Sequence, residues 1–135
     1  MAERHGAPPA KWSGVVSHAL IIEDDFWLAV EMKEALGELG YATFDLATRM
    51  RQAIAYAEQQ CPDLIIADHM IVGGTGAEAI ATICSDVPVP VVFVTSSRSQ
   101  VQQRLPAVPV VDKPWTTATL HEAINQAIER PFRTG

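Results

Sequence analysis

Four polar clusters in this 135-residue sequence have residue types that can do chemistry: Glu23-Asp24-Asp25, Asp68, Thr95-Ser96 and Asp112-Lys113. Each directly follows a short run rich in apolar residues. If those runs are neighbouring strands, Glu23, Asp24 and Asp68 crowd into one pocket. Two carboxylates ~5 Å apart at an effective dielectric of ~20 repel by about 3 kcal/mol. A fold keeps such a cluster when something compensates it or when it has a function. The simplest compensation is a hard cation. Mg²⁺ takes oxygen ligands, keeps several waters, and is satisfied by one or two carboxylates plus a phosphate. Lys113 supplies a second, movable positive charge. Phosphoryl transfer then follows, because it needs an in-line nucleophile and neutralised equatorial oxygens, and a carboxylate can be that nucleophile. Asp68 is the candidate phosphoacceptor. Asp24 is the expected direct metal ligand, Glu23 a ligand through water, Asp68 itself a further ligand, and the backbone carbonyl of Met70 the donor that completes the protein's share. Thr95 is expected to donate its hydroxyl to a phosphoryl oxygen, and Lys113 to pair with another.

The elements that must position these groups alternate between strand and helix. His18–Glu23 is a short apolar run ending in acids, the pattern of a buried strand. From Phe26 to Leu39, Leu28, Met32, Leu36 and Leu39 recur at helical spacing, with Glu31, Glu34 and Glu38 opposite. Asp25 is suited to cap this helix, and Gly40 to end it. A second strand is expected over Tyr41–Ala47. Thr48 is a candidate cap for a helix striped by Met50, Ala53, Ile54 and Ala57. Asp63–Ala67 reads as a third strand, Asp68–Gly76 as a glycine-rich loop and Ala77–Ser85 as a short helix. Val91–Thr95 is a fourth strand. Ser96–Pro106 is polar and has room for two weak helical turns at most. Val108–Asp112 is a fifth strand. Thr116, Thr117 or Thr119 can cap a final helix, and Thr119 with Glu122 has capping-box spacing.

This alternation predicts an α/β fold, a doubly wound parallel sheet with helices on both faces. Ligands of such sheets bind outside the carboxyl ends of the strands, where all four clusters fall. The expected organisation is an N-terminal tail over residues 1–17 and one domain over 18–131. The formal net charge of −6 argues against a basic nucleic-acid-binding face. No run of 18 apolar residues suggests a membrane span. Cys61 and Cys84 belong to no metal-binding pattern and read as small core-edge residues of a reducing, cytoplasmic compartment; a disulfide between them is left open.

The pieces LIIEDD (20–25), DLIIADHMIVGGTG (63–76), VPVVFVTS (89–96) and VVDKPW (110–115) resemble, in order and spacing, the receiver (CheY-like) family of two-component response regulators. The resemblance runs across residues 18–130. It implies the flavodoxin-like (βα)5 arrangement with strand order 2-1-3-4-5. It also implies Mg²⁺ at the acidic pair Glu23 and Asp24, phosphorylation at Asp68, the switch hydroxyl at Thr95, the lysine at Lys113 and a cis Lys113–Pro114 bond. The implied donor is a sensor histidine kinase or a histidine phosphotransfer protein, with output through phosphorylation-dependent protein binding. Three positions depart from the family pattern. The Thr95-to-Lys113 interval is short, which implies a reduced fourth helix, as in a branch frequent among stand-alone regulators. Val110 stands where an aromatic is usual, and Val72 where proline is common.

The alternative function is a pseudo-receiver, the same fold used as a docking module without phosphorylation; the intact Asp68, Thr95, Lys113 and acidic pair argue against it. A phosphatase of the haloacid dehalogenase type would need a second Asp at position 70, where Met70 stands, so the only hydrolysis expected is self-dephosphorylation. GGTG at 73–76 lacks the Gly-Lys-Ser/Thr of a phosphate-binding loop. His69 reads as a loop residue rather than a ligand. Packing is expected for Trp27, and a place near the output face for Trp115.

Overall fold

The computed structural model describes residues 17–134. Its strands are β1 (His18–Ile22), β2 (Thr43–Ala47), β3 (Leu64–Ala67), β4 (Met70–Ile71), β5 (Gly74–Thr75), β6 (Val91–Thr95) and β7 (Val110–Asp112). Its helices are α1 (Phe26–Glu38), α2 (Met50–Gln59), α3 (Gly76–Ile83), α4 (Arg98–Arg104) and α5 (Thr117–Glu129). Five strands form one parallel sheet in the order β2-β1-β3-β6-β7. Taking β6 and β7 as the fourth and fifth long strands, this is the expected 2-1-3-4-5 order.

The central strands β1, β3 and β6 are buried along their whole length. Successive side chains point to opposite faces. Leu20, Ile22, Ile65 and Phe93 therefore pack with α2, α3 and α4, while Ala19, Ile21, Ile66 and Val92 pack with α1 and α5. Helices cover both faces, which is why these strands read as continuous apolar runs rather than alternating ones. The tail expected over 1–17 lies outside the described residues except for Ser17. Ser17 is buried, and its carbonyl accepts the Ala42 and Thr43 N–H groups.

Helix α1 has the limits expected of it. The Asp25 carboxylate accepts the Trp27 and Leu28 N–H groups. At the other end Gly40 adopts φ 106°, and the N–H groups of Gly40 and Tyr41 reach back to Gly37 and Leu36, the double closure that a left-handed residue permits.

Several local expectations need correction. β2 starts at Thr43 rather than Tyr41, and β7 at Val110 rather than Val108. Helix α2 is capped at Arg49 without a side-chain bond; the Thr48 N–H instead meets the Gln52 side chain. Helix α3 starts at Gly76, with Thr75 and Glu78 forming a reciprocal capping box. In α5 the cap is Thr116 and its partner Thr119, rather than Thr119 with Glu122. The segment after Asp68 is not an open loop, because Met70 pairs with Thr75 and Ile71 with Gly74 in a small hairpin. Cys61 is exposed, Cys84 is buried, and both are free thiols. Trp27 is 73 % exposed, whereas Trp115 packs against the α1–α5 side of the core. Trp27 falls off the α1 stripe of Leu28, Met32 and Leu36, so the helix turns it outward.

Candidate functional site

Strand register delivers the site. Ile22 and Ala67 are partners across β1 and β3. The next residues, Glu23 and Asp68, therefore leave the sheet side by side. The Asp68 N–H donates to the Ile22 carbonyl at 2.8 Å, and the Glu23 N–H to the Ala47 carbonyl at 2.9 Å. Both acids are pinned through their own backbones. On the other side Thr95 pairs with Asp112 across β6 and β7, and the Lys113 N–H donates to the Thr95 carbonyl at 3.1 Å. The Lys113–Pro114 bond is cis.

The Lys113 ammonium donates to Glu23 Oε1 at 2.7 Å and to Asp68 Oδ2 at 2.8 Å. Glu23, Asp24 and Asp68 each offer an oxygen within 4.8 Å of the others. Burial pushes the Glu23 carboxyl above its ordinary value, even though Lys113 and the Asp25 N–H pull the other way. Burial acts against the Lys113 ammonium, but its bonds to Asp68 and Glu23 outweigh that and raise it. One lysine thus bonds to two of the three clustered carboxylates, and Asp24 is not among its partners. Oxygen-only donors of surplus negative charge are a set that fits a hard divalent cation.

The remaining residues are placed less directly. Thr95 is fully buried, and its hydroxyl oxygen accepts the Ser97 N–H at 3.0 Å; the Asp68 carboxylate bonds instead to Lys113 and to the His69 N–H. Met70 stands at the head of the hairpin, two residues beyond Asp68, with its side chain exposed. Gly76 closes the hairpin by donating to the His69 carbonyl at 2.7 Å. A Cβ there would collide with the Asp68 carbonyl and come within 2.9 Å of the Phe93 ring, so only glycine lets the chain return this close to the site.

His69 lies in the loop between β3 and β4, as expected, but it is buried, and its Nδ1 has no hydrogen-bond partner. Burial, with Arg104 nearby, lowers its pKa from the ordinary imidazole value. Its position between an acid and an exposed Met gives no sequence signal for that burial. Arg98 was likewise unremarkable in sequence, yet it bonds to Asp112 Oδ1 and to the Val110 carbonyl, both at 2.9 Å.

Comparison with known proteins accords with this geometry. The family model described as "Response regulator receiver domain" matches residues 19–125. The chain belongs to that receiver family. It is 28 % identical over 118 residues to the phyllosphere-induced regulator PhyR of Methylorubrum extorquens, covering 84 % of this chain and 44 % of that protein. It is 30 % identical over 122 residues to the transcriptional regulatory protein PdtaR of Mycobacterium tuberculosis, covering 87 % and 60 %. The chain thus spans about half the length of the curated relatives it matches. The solution structure of the Erythrobacter litoralis PhyR receiver domain is similar with a TM-score of 0.77 at 25 % identity, covering 91 % of this chain and 98 % of that one. As a receiver the chain is a signalling module. Its α4 has seven residues against thirteen in α1 and α5, the shortening expected from the Thr95-to-Lys113 interval. No helix among the described residues is long and apolar enough to cross a membrane.

Proposed function

We propose that this receiver accepts a phosphoryl group on Asp68 from a phosphohistidine of a sensor kinase or phosphotransfer protein, in a Mg²⁺-dependent reaction in the cytoplasm. The observation that carries this reading is the shared lysine: Lys113 bonds to both Glu23 and Asp68 while Asp24 stands within 4.8 Å. Glu23, Asp24 and Asp68 would hold the cation, with the Met70 carbonyl completing the protein's share. Bound there, Mg²⁺ would neutralise charge on the transferred phosphoryl group. Asp68 is held by its backbone bond to Ile22, so its carboxylate meets the donor in a fixed position. An Asp68 oxygen forms the new P–O bond as the P–N bond of the phosphohistidine breaks, and the electron pair of that bond leaves with the imidazole. Lys113 turns from Asp68 to a phosphoryl oxygen while keeping its bond to Glu23. Thr95 donates its hydroxyl to another oxygen. Output then proceeds through altered protein binding; self-dephosphorylation is the only hydrolysis assigned to the chain.

One observation favours the docking-module alternative: both Asp68 oxygens are already bonded, one to the His69 N–H and one to Lys113. Intact mass after acetyl phosphate and Mg²⁺ separates the two readings. The wild type is expected to gain one phosphoryl mass and Asp68→Asn none. A gain in both proteins, or in neither, rejects the assignment.

A further inference from the structure

We propose that Arg98 is a positioning residue, a latch that ties α4 to β7 and reports the orientation of the Thr95 hydroxyl to that helix. This rests on the phosphoacceptor reading of Asp68 and goes beyond it by naming how the site reaches a distant surface.

The latch is part of a closed ring of contacts. The Thr95 hydroxyl oxygen accepts the Ser97 N–H at 3.0 Å. Ser97 is the cap of α4 and makes no side-chain capping bond of its own. The next residue, Arg98, sends Nε to Asp112 Oδ1 and Nη2 to the Val110 carbonyl. Asp112 precedes Lys113, whose N–H returns to the Thr95 carbonyl at 3.1 Å. One ring thus holds the buried hydroxyl, the start of α4, the outer strand and the lysine of the acidic pocket.

Helix α4 depends on such a tie. It has seven residues, mostly polar, and buries only Val101 along its length. So short a helix does not stand by propensity. β7 is the outermost strand of the sheet, and a strand edge leaves backbone groups needing cover. Arg98 covers one of them, the Val110 carbonyl. Position 110 carries valine, which offers no polar or aromatic group of its own for coupling to α4.

The latch is also built to open. The Arg98 and Asp112 side chains are 42 % and 63 % exposed, and exposed ion pairs hold weakly. Arg98, Val110 and Gln126 line both open grooves that flank β7, so the guanidinium stands between them. When Thr95 turns its hydroxyl to a phosphoryl oxygen on Asp68, it gives up the Ser97 N–H. The first turn of α4 shifts, Arg98 leaves Val110 and Asp112, and the two grooves join.

The test follows amide exchange of residues 98–105 in the whole chain, with and without beryllium fluoride plus Mg²⁺ as a mimic of the acyl phosphate. Intact mass after acetyl phosphate is measured in parallel. In the wild type, exchange of α4 is expected to quicken about tenfold with the mimic. Arg98→Ala is expected to gain the same phosphoryl mass but to exchange fast in both states, with no further response. Arg98→Lys, which keeps the charge and loses the two-pronged geometry, should recover part of the protection. If Arg98→Ala gains mass and α4 still responds as in wild type, the latch is overturned while the phosphoacceptor reading stands. A wild type that gains mass with no response in α4 overturns it equally. A wild type that gains no mass removes the phosphoacceptor reading and the latch together.

Discussion

The two edges of the same sheet handle charge in opposite ways. At the edge where the strands begin, the polar groups of His18 are all answered. The His18 N–H donates to Asp63, and its ring nitrogens lie 2.8 Å from Thr43 Oγ1 and Asp45 Oδ2. The chain after α5 returns to this edge, where Phe132 bridges Val89 and Thr134 bonds to the Ala81 and Cys84 carbonyls. At the edge where the strands end, three carboxylates cluster and one lysine pairs with only two of them, Glu23 and Asp68. The same buried strands carry both edges, so the imbalance is not a failure of packing. It is localised where the register brings acids together, which is where a site is expected to hold charge that the fold alone would not keep.

The largest effect that could break this contrast comes from the balanced edge. His18→Ala strips Asp45 and Thr43 of a buried partner and is expected to cost about 2–3 kcal/mol. Urea unfolding measures the cost. Phosphoryl uptake from acetyl phosphate should stay at the wild-type level, because His18 lies at the opposite ends of the strands from Asp68. Lost uptake with an intact fold would mean the two edges are not separable. The unbalanced edge should respond the other way. Asp24→Asn removes one like charge from a cluster in which each pair repels by about 3 kcal/mol before solvent screening. Asp24 is exposed, so a gain of about 1 kcal/mol without Mg²⁺ is the expected size. Wild type should then be stabilised by about 1.4 kcal/mol at a Mg²⁺ concentration tenfold above its Kd, and Asp24→Asn by clearly less. Thermal unfolding with and without Mg²⁺ checks both. Equal stabilisation of the two proteins would place the cation elsewhere.

How much of this was legible depended on how local the cause is. The runs HALII, LIIA and VVFVT announce buried strands because burial on both faces demands continuous apolar sequence. The acids, Asp68, Thr95 and Lys113 could be gathered from sequence because each lies within two residues of the end of a short apolar run, and the family resemblance supplied their roles. The α3 cap was legible too, since Thr75 and Glu78 have capping-box spacing, but the three nearby glycines suggested an open loop instead. The β4–β5 hairpin has two-residue strands, too short to carry a period. Trp27 could have been placed on the outside from the α1 stripe alone. His69 and Arg98 could not have been found this way. The first is buried although its neighbours in sequence are polar or exposed, and the second meets Asp112 only through the β6–β7 register, fourteen positions along the chain.

The smallest expected effect sharpens the contrast most, because it concerns the sign of a pH dependence. An ordinary paired carboxylate has a lowered pKa and loses its contribution to stability as the pH falls. Glu23 is shifted upward from 4.5, with desolvation the largest cause. Its protonated form therefore suits the folded state better than the ionised one. Its contribution is fully present below about 4.5, the unfolded value, and is lost as the pH rises through the folded value. Without Mg²⁺, the stability of Glu23→Gln relative to wild type should consequently increase as the pH climbs from 4.5 towards neutrality. Adding Mg²⁺ should shrink that increase, since a cation at the site favours the ionised form. Denaturant unfolding of both proteins across this range, with and without the metal, measures it. If the difference between them instead falls with rising pH, Lys113 alone balances Glu23, and this edge carries no uncompensated charge there.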